Sequence, residues 1–188
     1  MSIPVVEFAM SLRYALGDMQ GLNISDYQLI EPINQAVSKL YGFLSQRYVH
    51  AVLKKAVVDV GKSGMTALPS DFVRVHQLIG DKQGLLIPTT TNPPALGTYR
   101  IVGSTLYANE GTYSFEYYYI PARVKTLSDS VDVPEMMRAW IEQAALMMYQ
   151  KNSLGVDALL LQCEQTLAGR EISHFENTGP AQVLGGRT

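Results

Sequence analysis

With 188 residues, 47% hydrophobic and 17% charged, the chain has room for one domain with a real core and is too apolar to be disordered. Its formal net charge of −2 argues against a broad, salt-sensitive grip on nucleic acid, which needs a basic excess. The single cysteine, Cys163, excludes an intramolecular disulfide and a thiolate metal cluster, no apolar run reaches the ~18 residues of a membrane span, and MSIPVVEFAM lacks the positive start of a signal peptide.

In chain order, residues 3–18 read as a helix, because Val5, Ala9, Leu12 and Leu16 fall on one face. A longer helix is expected over 25–48, opened by a capping box between Ser25 and Gln28 and lined by Ile30, Ile33, Val37, Leu40 and Leu44. Pro32 removes one bond from it and predicts a kink.

From about Val52 to Ile120 the pattern turns to short strands. Phe72–Ile79 is β-rich, 80–84 is a turn into Leu85-Leu86-Ile87, and Gly103-Ser104 joins two strands as a hairpin. Asn92-Pro93-Pro94 marks a loop. The stretch TYSFEYYYIPARV follows the turn at 109–111. As a strand it puts Tyr113, Phe115, Tyr117 and Tyr119 on a core face, and Ser114, Glu116, Tyr118 and Ile120 on a mixed face open to a partner.

Helices return after Pro134, with Met136, Met137, Trp140, Ile141, Ala144 and Met148 on one broad apolar face. Gly155 precedes a last helix in which Leu159, Cys163 and Leu167 share a side. The segment 176–188, ENTGPAQVLGGRT, has no periodicity and reads as a flexible tail. The expected fold is α+β, a four-helix-type bundle from both chain ends with an inserted small antiparallel β-sheet or barrel. Its parts are the N-terminal helices over 1–50, the β insertion over 51–125, the C-terminal helices over 126–175 and the tail.

Little in the sequence carries chemistry. Gly61-Lys62-Ser63 lacks the upstream glycine of a phosphate-binding loop, since position 56 is Ala, and reads as a turn. His50, His76 and His174 are scattered, with no metal-ligand spacing. Cys163 sits on an apolar face and reads as packing. The carboxylates are dispersed, and Glu116 alone specifies no acid–base pair. Met136, Met137, Met147 and Met148 beside Trp140 read as a helix interface rather than a soft-metal site. No catalytic, cofactor-binding or metal residues are expected.

Four segments taken in order carry a resemblance. IEPINQAVSKLYGFL (30–44) is similar to the Asn-x-Ala helix near the start of many phage connector proteins. ALPSDFVRVHQLI (67–79) resembles their Leu-Pro-x-Asp-Phe entry into a long strand. YRIVGSTLYANEGTYSFEYYYIPARVKTLSD (99–129) resembles their hairpin, Tyr-Tyr strand and proline. VPEMMRAWIEQAALMMY (133–149) resembles their closing helix. Over roughly residues 25–170 the chain thus resembles the head-to-tail adaptors, or tail accessory factors, of tailed bacteriophages.

The resemblance implies a structural virion protein of the neck, made in the bacterial host cytoplasm. It implies a homo-oligomeric ring, dodecameric in the family, docked on the portal protein and offering a platform to a downstream tail or nozzle protein. DNA would pass through without sequence-specific binding. The bundle would line the ring, the β part would face the tail, and the tail segment would reach the portal or an adjacent subunit. Interface candidates are Arg13, Lys39, Arg47 and Arg138 as polar ring contacts, Glu116 and Tyr118 on the mixed strand face, and Phe175, Val183 and Leu184 near the C-terminus. Another neck or tail-completion ring is the nearest alternative. A carbohydrate-binding β module using Tyr117, Tyr118 and Tyr119, and an enzyme whose site assembles only in space, are readings from other classes.

Overall fold

The computed structural model describes residues 2–177, with side chains through residue 169. Phe175, Val183, Leu184 and the tail are therefore outside what can be placed, apart from the backbone of the last helix. The chain opens with a strand, β1 (Ser2–Pro4), and continues as helix α1 (Val5–Ala15). Helix α2 (Asp26–Gln46) starts at the expected capping box, in which Ser25 and Gln28 each accept the other's backbone N–H. It runs on through Pro32 as one helix.

The expected four-helix bundle with a small β insertion is not what the chain builds. Ten strands among the described residues form three sheets, and these sheets organise the fold. The central sheet has the order β2 (Leu53–Val60), β9 (Gly111–Tyr119), β4 (Phe72–Gly80), β5 (Gly84–Leu85). An outer sheet has the order β3 (Met65–Ala67), β8 (Thr105–Tyr107), β7 (Thr98–Val102), β6 (Ile87–Pro88), and its β6–β7 pair is parallel. The third sheet pairs β1 with β10 (Ser130–Asp132), outside the span 51–125 that was expected to hold the β structure. Strands of two or three residues are too short to show a period, so the sequence pattern underweights them.

The helices pack on one another, and α2 also packs on β9 of this β structure. A 3-10 turn, Glu135–Met137, leads into α3 (Arg138–Tyr149), and α4 (Ser153–Asn177) follows. Asn152 caps α4 through its side chain, which accepts the Gly155 N–H. Tyr41 of α2 meets the ring of Tyr119 edge-on, 5.2 Å between centroids, so helices and central sheet share one continuous core.

Strand β9 lies between β2 and β4 and is buried on both faces over Phe115–Tyr119. On the inner face, Phe115 stacks on Phe72 and Tyr117. Tyr113 crosses Gly80 so closely that a Cβ there would stand 3.0 Å from its ring. A polar node closes the helical end of this face. Lys54 Nζ reaches Asp71 and Asp132, each at 2.8 Å, Tyr117 donates its hydroxyl to Asp71, and Tyr119 donates to the Asp132 carbonyl. Burial opposes the charge on Lys54, but the hydrogen bonds to Asp132 and Asp71 outweigh it and raise the pKa above the ordinary lysine value.

Asn34 joins α2 to the segment after β9. Its side chain donates to the Val124 carbonyl and accepts the Val124 N–H, both at 2.9 Å and both buried. Asn34→Ala leaves both groups of Val124 without a partner, so it should cost roughly 3 kcal/mol of stability. Urea unfolding checks this. A loss below about 1 kcal/mol would mean that the segment finds other partners.

Candidate functional site

Helix α1 is apolar on two sides. Val5, Phe8, Ala9 and Leu12 face the core. Val6, Met10 and Tyr14, at i, i+4 and i+8, form a second stripe that faces water, with Met10 60% and Tyr14 75% exposed. Exposed hydrophobics scattered singly are ordinary, whereas an aligned set on one helix face is a candidate interaction surface.

The loop after α1 extends this stripe, and Asp18 shapes the loop. The buried Asp18 carboxylate accepts the backbone N–H groups of Leu22, Asn23 and Ile24 and the Arg13 guanidinium. Gly21, at φ 68°, passes over Arg13 where a Cβ would stand 3.1 Å from Nη1. This wrapping buries Ile24 and turns Met19 and Leu22 outward. Met19 then joins Met10 and Tyr14 around a cleft of about 360 Å³. Burial works against the Asp18 charge, but the three backbone N–H groups and Arg13 prevail and lower its pKa.

A second, separate cleft of about 400 Å³ lies between α2 and α4. Gly42, Phe43, Leu160 and Leu161 line its apolar part, and Lys39 and Asp157 cross it as an ion pair. Leu154 and Leu161 of α4 are exposed.

The sequence-selected polar residues are mostly committed within the chain. Arg13 bridges Asp18 and Asp26. Lys39 pairs with Asp157, and Arg47 with Glu164 while lying over the Phe43 ring. Arg138 collects Glu7 of α1, Glu135 of the 3-10 turn and Glu142 of α3, and is raised above its ordinary pKa, chiefly by the Glu142 hydrogen bond. Glu116 is buried under Lys55 and Gln77, and the Lys55 hydrogen bond lowers its pKa. Tyr118, expected on an open face, is 0% exposed, covered by the rings of Tyr48 and His76. Tyr117 and Tyr119 are buried as well, so the three tyrosines offer no carbohydrate platform. Phe175, Val183 and Leu184 lie outside the described side chains.

Gly61–Gly64 is a turn between β2 and β3, closed by the Gly64 N–H on the Gly61 carbonyl. Cys163 is buried, which pushes its thiol up to about 12. Met137 is buried and Met147, Met148 and Trp140 pack on the core. His50 and His76, far apart in sequence, come together with ring centroids 5.1 Å apart. Among the described residues, no group of three or more His, Cys, Asp or Glu could hold a metal ion, and no helix is long and apolar enough to cross a membrane.

The chain matches no protein-family model, and no curated protein matches it.

Sequence reasoning missed the outer stripe of α1 because the same helix supplies a good inner face, which satisfied the period. The signal was available. Met10, Tyr14, Met19 and Leu22 are large apolar residues left over once the core face is filled. Asp18→Asn should loosen the loop and lower Tm by on the order of 5 °C. The depressed carboxyl contributes fully above its unfolded pKa of about 4, and that contribution is lost as pH falls through the folded value. The Tm difference between wild type and Asp18→Asn should therefore be full at neutral pH and shrink below about pH 4, as scanning calorimetry across pH would read.

Proposed function

We propose that this chain is a structural protein of a tailed bacteriophage, a head-to-tail adaptor that assembles as a ring on the portal protein. In this reading it presents a platform to the next tail protein while DNA passes through the ring. The observation that carries the reading is the water-facing apolar surface of α1 and its loop, set on a scaffold in which Arg13 and Arg138 are fastened by internal ion pairs. A chain that works alone in water gains nothing from an aligned Val6, Met10, Tyr14 and Met19, whereas an assembling subunit buries them.

Ring closure needs heterologous contacts, in which two different patches meet from subunit to subunit. The α1 surface and the α2–α4 cleft are two such patches on different helices. The order of the four sequence segments that resemble phage connectors supports the same reading. Two of their residues have structural work in this fold: Asn34 staples α2 to Val124, and Asp71 anchors Lys54 and Tyr117. Stoichiometry, a position in the virion neck and the identity of the downstream protein belong to the proposal.

The test mixes the purified chain with the portal protein of the same genome and reads mass and negative-stain images. The expected result is a ring of this chain seated on the portal. Met10→Asp combined with Tyr14→Asp should leave the folded chain's Tm within about 2 °C of wild type, because both side chains are exposed, and should abolish ring formation. A folded wild-type chain that never joins a portal overturns the reading. Joining a tail tube end instead would move it to another neck or tail-completion ring.

A further inference from the structure

Tyr48 follows α2 in the left-handed conformation, φ 60°. The Tyr48 N–H bonds to Ser45 and the Val49 N–H to Leu44, a helix ending in which glycine is the usual residue at this position. A bulky side chain there is an outlier that local structure must hold in place. Tyr48 is 58% exposed, and the Arg74 guanidinium lies over its ring at 3.8 Å from the centroid.

Arg74 is itself presented by irregular backbone. The register of β4 against β9 slips between Phe72 and Arg74 and again between Val75 and Gln77, leaving Val73 and His76 as extra residues on either side of it. Bulges of this kind re-aim side chains and gather at functional sites. The second bulge carries His76, whose ring meets His50 from the 3-10 turn His50–Val52 and the edge of Tyr118. Both histidines are exposed. Arg74, like Arg100, has no carboxylate partner among the described residues, whereas Arg13, Arg47, Lys54 and Arg138 do, and its hydrogen bond is a 3.3 Å contact to the Ser45 carbonyl. Further along the same sheet face, Lys55 and Glu116 neutralise each other.

We propose that Tyr48, Arg74 and His76, beside His50, form an oxyanion site that takes the phosphodiester backbone of duplex DNA. The inference rests on the adaptor reading for the presence of DNA. The guanidinium fork matches two phosphate oxygens, and imidazole N–H and phenol O–H groups add donors around it. No acidic or amide side chain in the group is placed to read bases, so the contact is sequence-blind. One small basic point on a chain of net charge −2 gives a weak, salt-labile contact, which suits DNA that must move past.

The experiment is an NMR titration of the free chain with a short DNA duplex at several ionic strengths. Shifts should centre on the amides of Tyr48, His50, Arg74 and His76, and affinity should fall with salt. Arg74→Gln should reduce the slope of that fall by about one. Tyr48→Gly suits the left-handed backbone, so it should keep the fold and weaken binding. Parallel titrations use inorganic phosphate and an oligoglutamate peptide. Equal affinity for either overturns the DNA assignment, as does a duplex that shifts only other residues. A chain that joins a portal ring but shows no duplex-dependent shifts here overturns this inference and leaves the adaptor reading intact. Duplex-dependent shifts here in a chain that joins no portal support the site while the adaptor reading falls.

Discussion

Strand β9 is the constraint from which the rest of the structure follows. An antiparallel strand normally keeps one face for water. β9 does so only at its start, where Thr112 and Ser114 are exposed, and then buries five consecutive residues, Phe115–Tyr119. The inner face is aromatic and can be dry. The outer face holds Glu116 and Tyr118, and each needs a cover. Lys55 and Gln77 satisfy the carboxylate, and Tyr48, Arg74 and His76 roof the tyrosine. The C-terminal end of α2 is thereby tied to the sheet from outside, while Tyr41 and Tyr119 tie the same helix to it from within.

With α2 fixed at that end, the other end of the helix is free to organise the N-terminal segment. Arg13 reaches from α1 to Asp26 at the start of α2, and Asp18 folds the intervening loop around the same guanidinium. The apolar display of Met10, Tyr14 and Met19 is thus rigid by construction. A preorganised surface loses little entropy when it is covered, and this is where a subunit that must assemble benefits. The core and the display are separate: core residues stop at Leu12 on the inner side of α1, and the outward stripe takes no part in them.

Much of the local structure was legible in the sequence. The Ser25–Gln28 box, the Gly103 hairpin, the core face of β9 and the Gly61–Gly64 turn all follow from residue type and spacing. The architecture was not legible beyond its mixture of helices and strands. Ser2–Pro4 and Ser130–Asp132 are each three residues long and pair across most of the chain, so neither carries a period that betrays it. The parallel β6–β7 pair is hidden for the same reason. At the site, the four selected cations were visible as charges, but their partners lie up to 131 positions away, as with Arg138 and Glu7. Periodicity finds faces; it does not find which face remains after the core is filled.

The surroundings of Arg74 are the hardest part to read from sequence, because they depend on irregularity. Phe72–Ile79 scans as one regular strand, yet two residues of it have no partner on β9. Tyr48 stands where a helix ending favours glycine. Each departure costs stability on the order of 1 kcal/mol or more, and the neighbouring stack of Arg74 on Tyr48 offsets only part of it, since such exposed contacts contribute about 0.5–1 kcal/mol. A left-handed ending alone is not distinctive, since Lys151 closes α3 in the same conformation, φ 57°. Both departures meet at one exposed point, around an arginine that no described carboxylate neutralises, in a chain that otherwise pairs most of its buried and half-buried cations. Their coincidence is what separates this point from the ordinary polar surface beside it, where Lys55 and Glu116 cancel on a regular ladder.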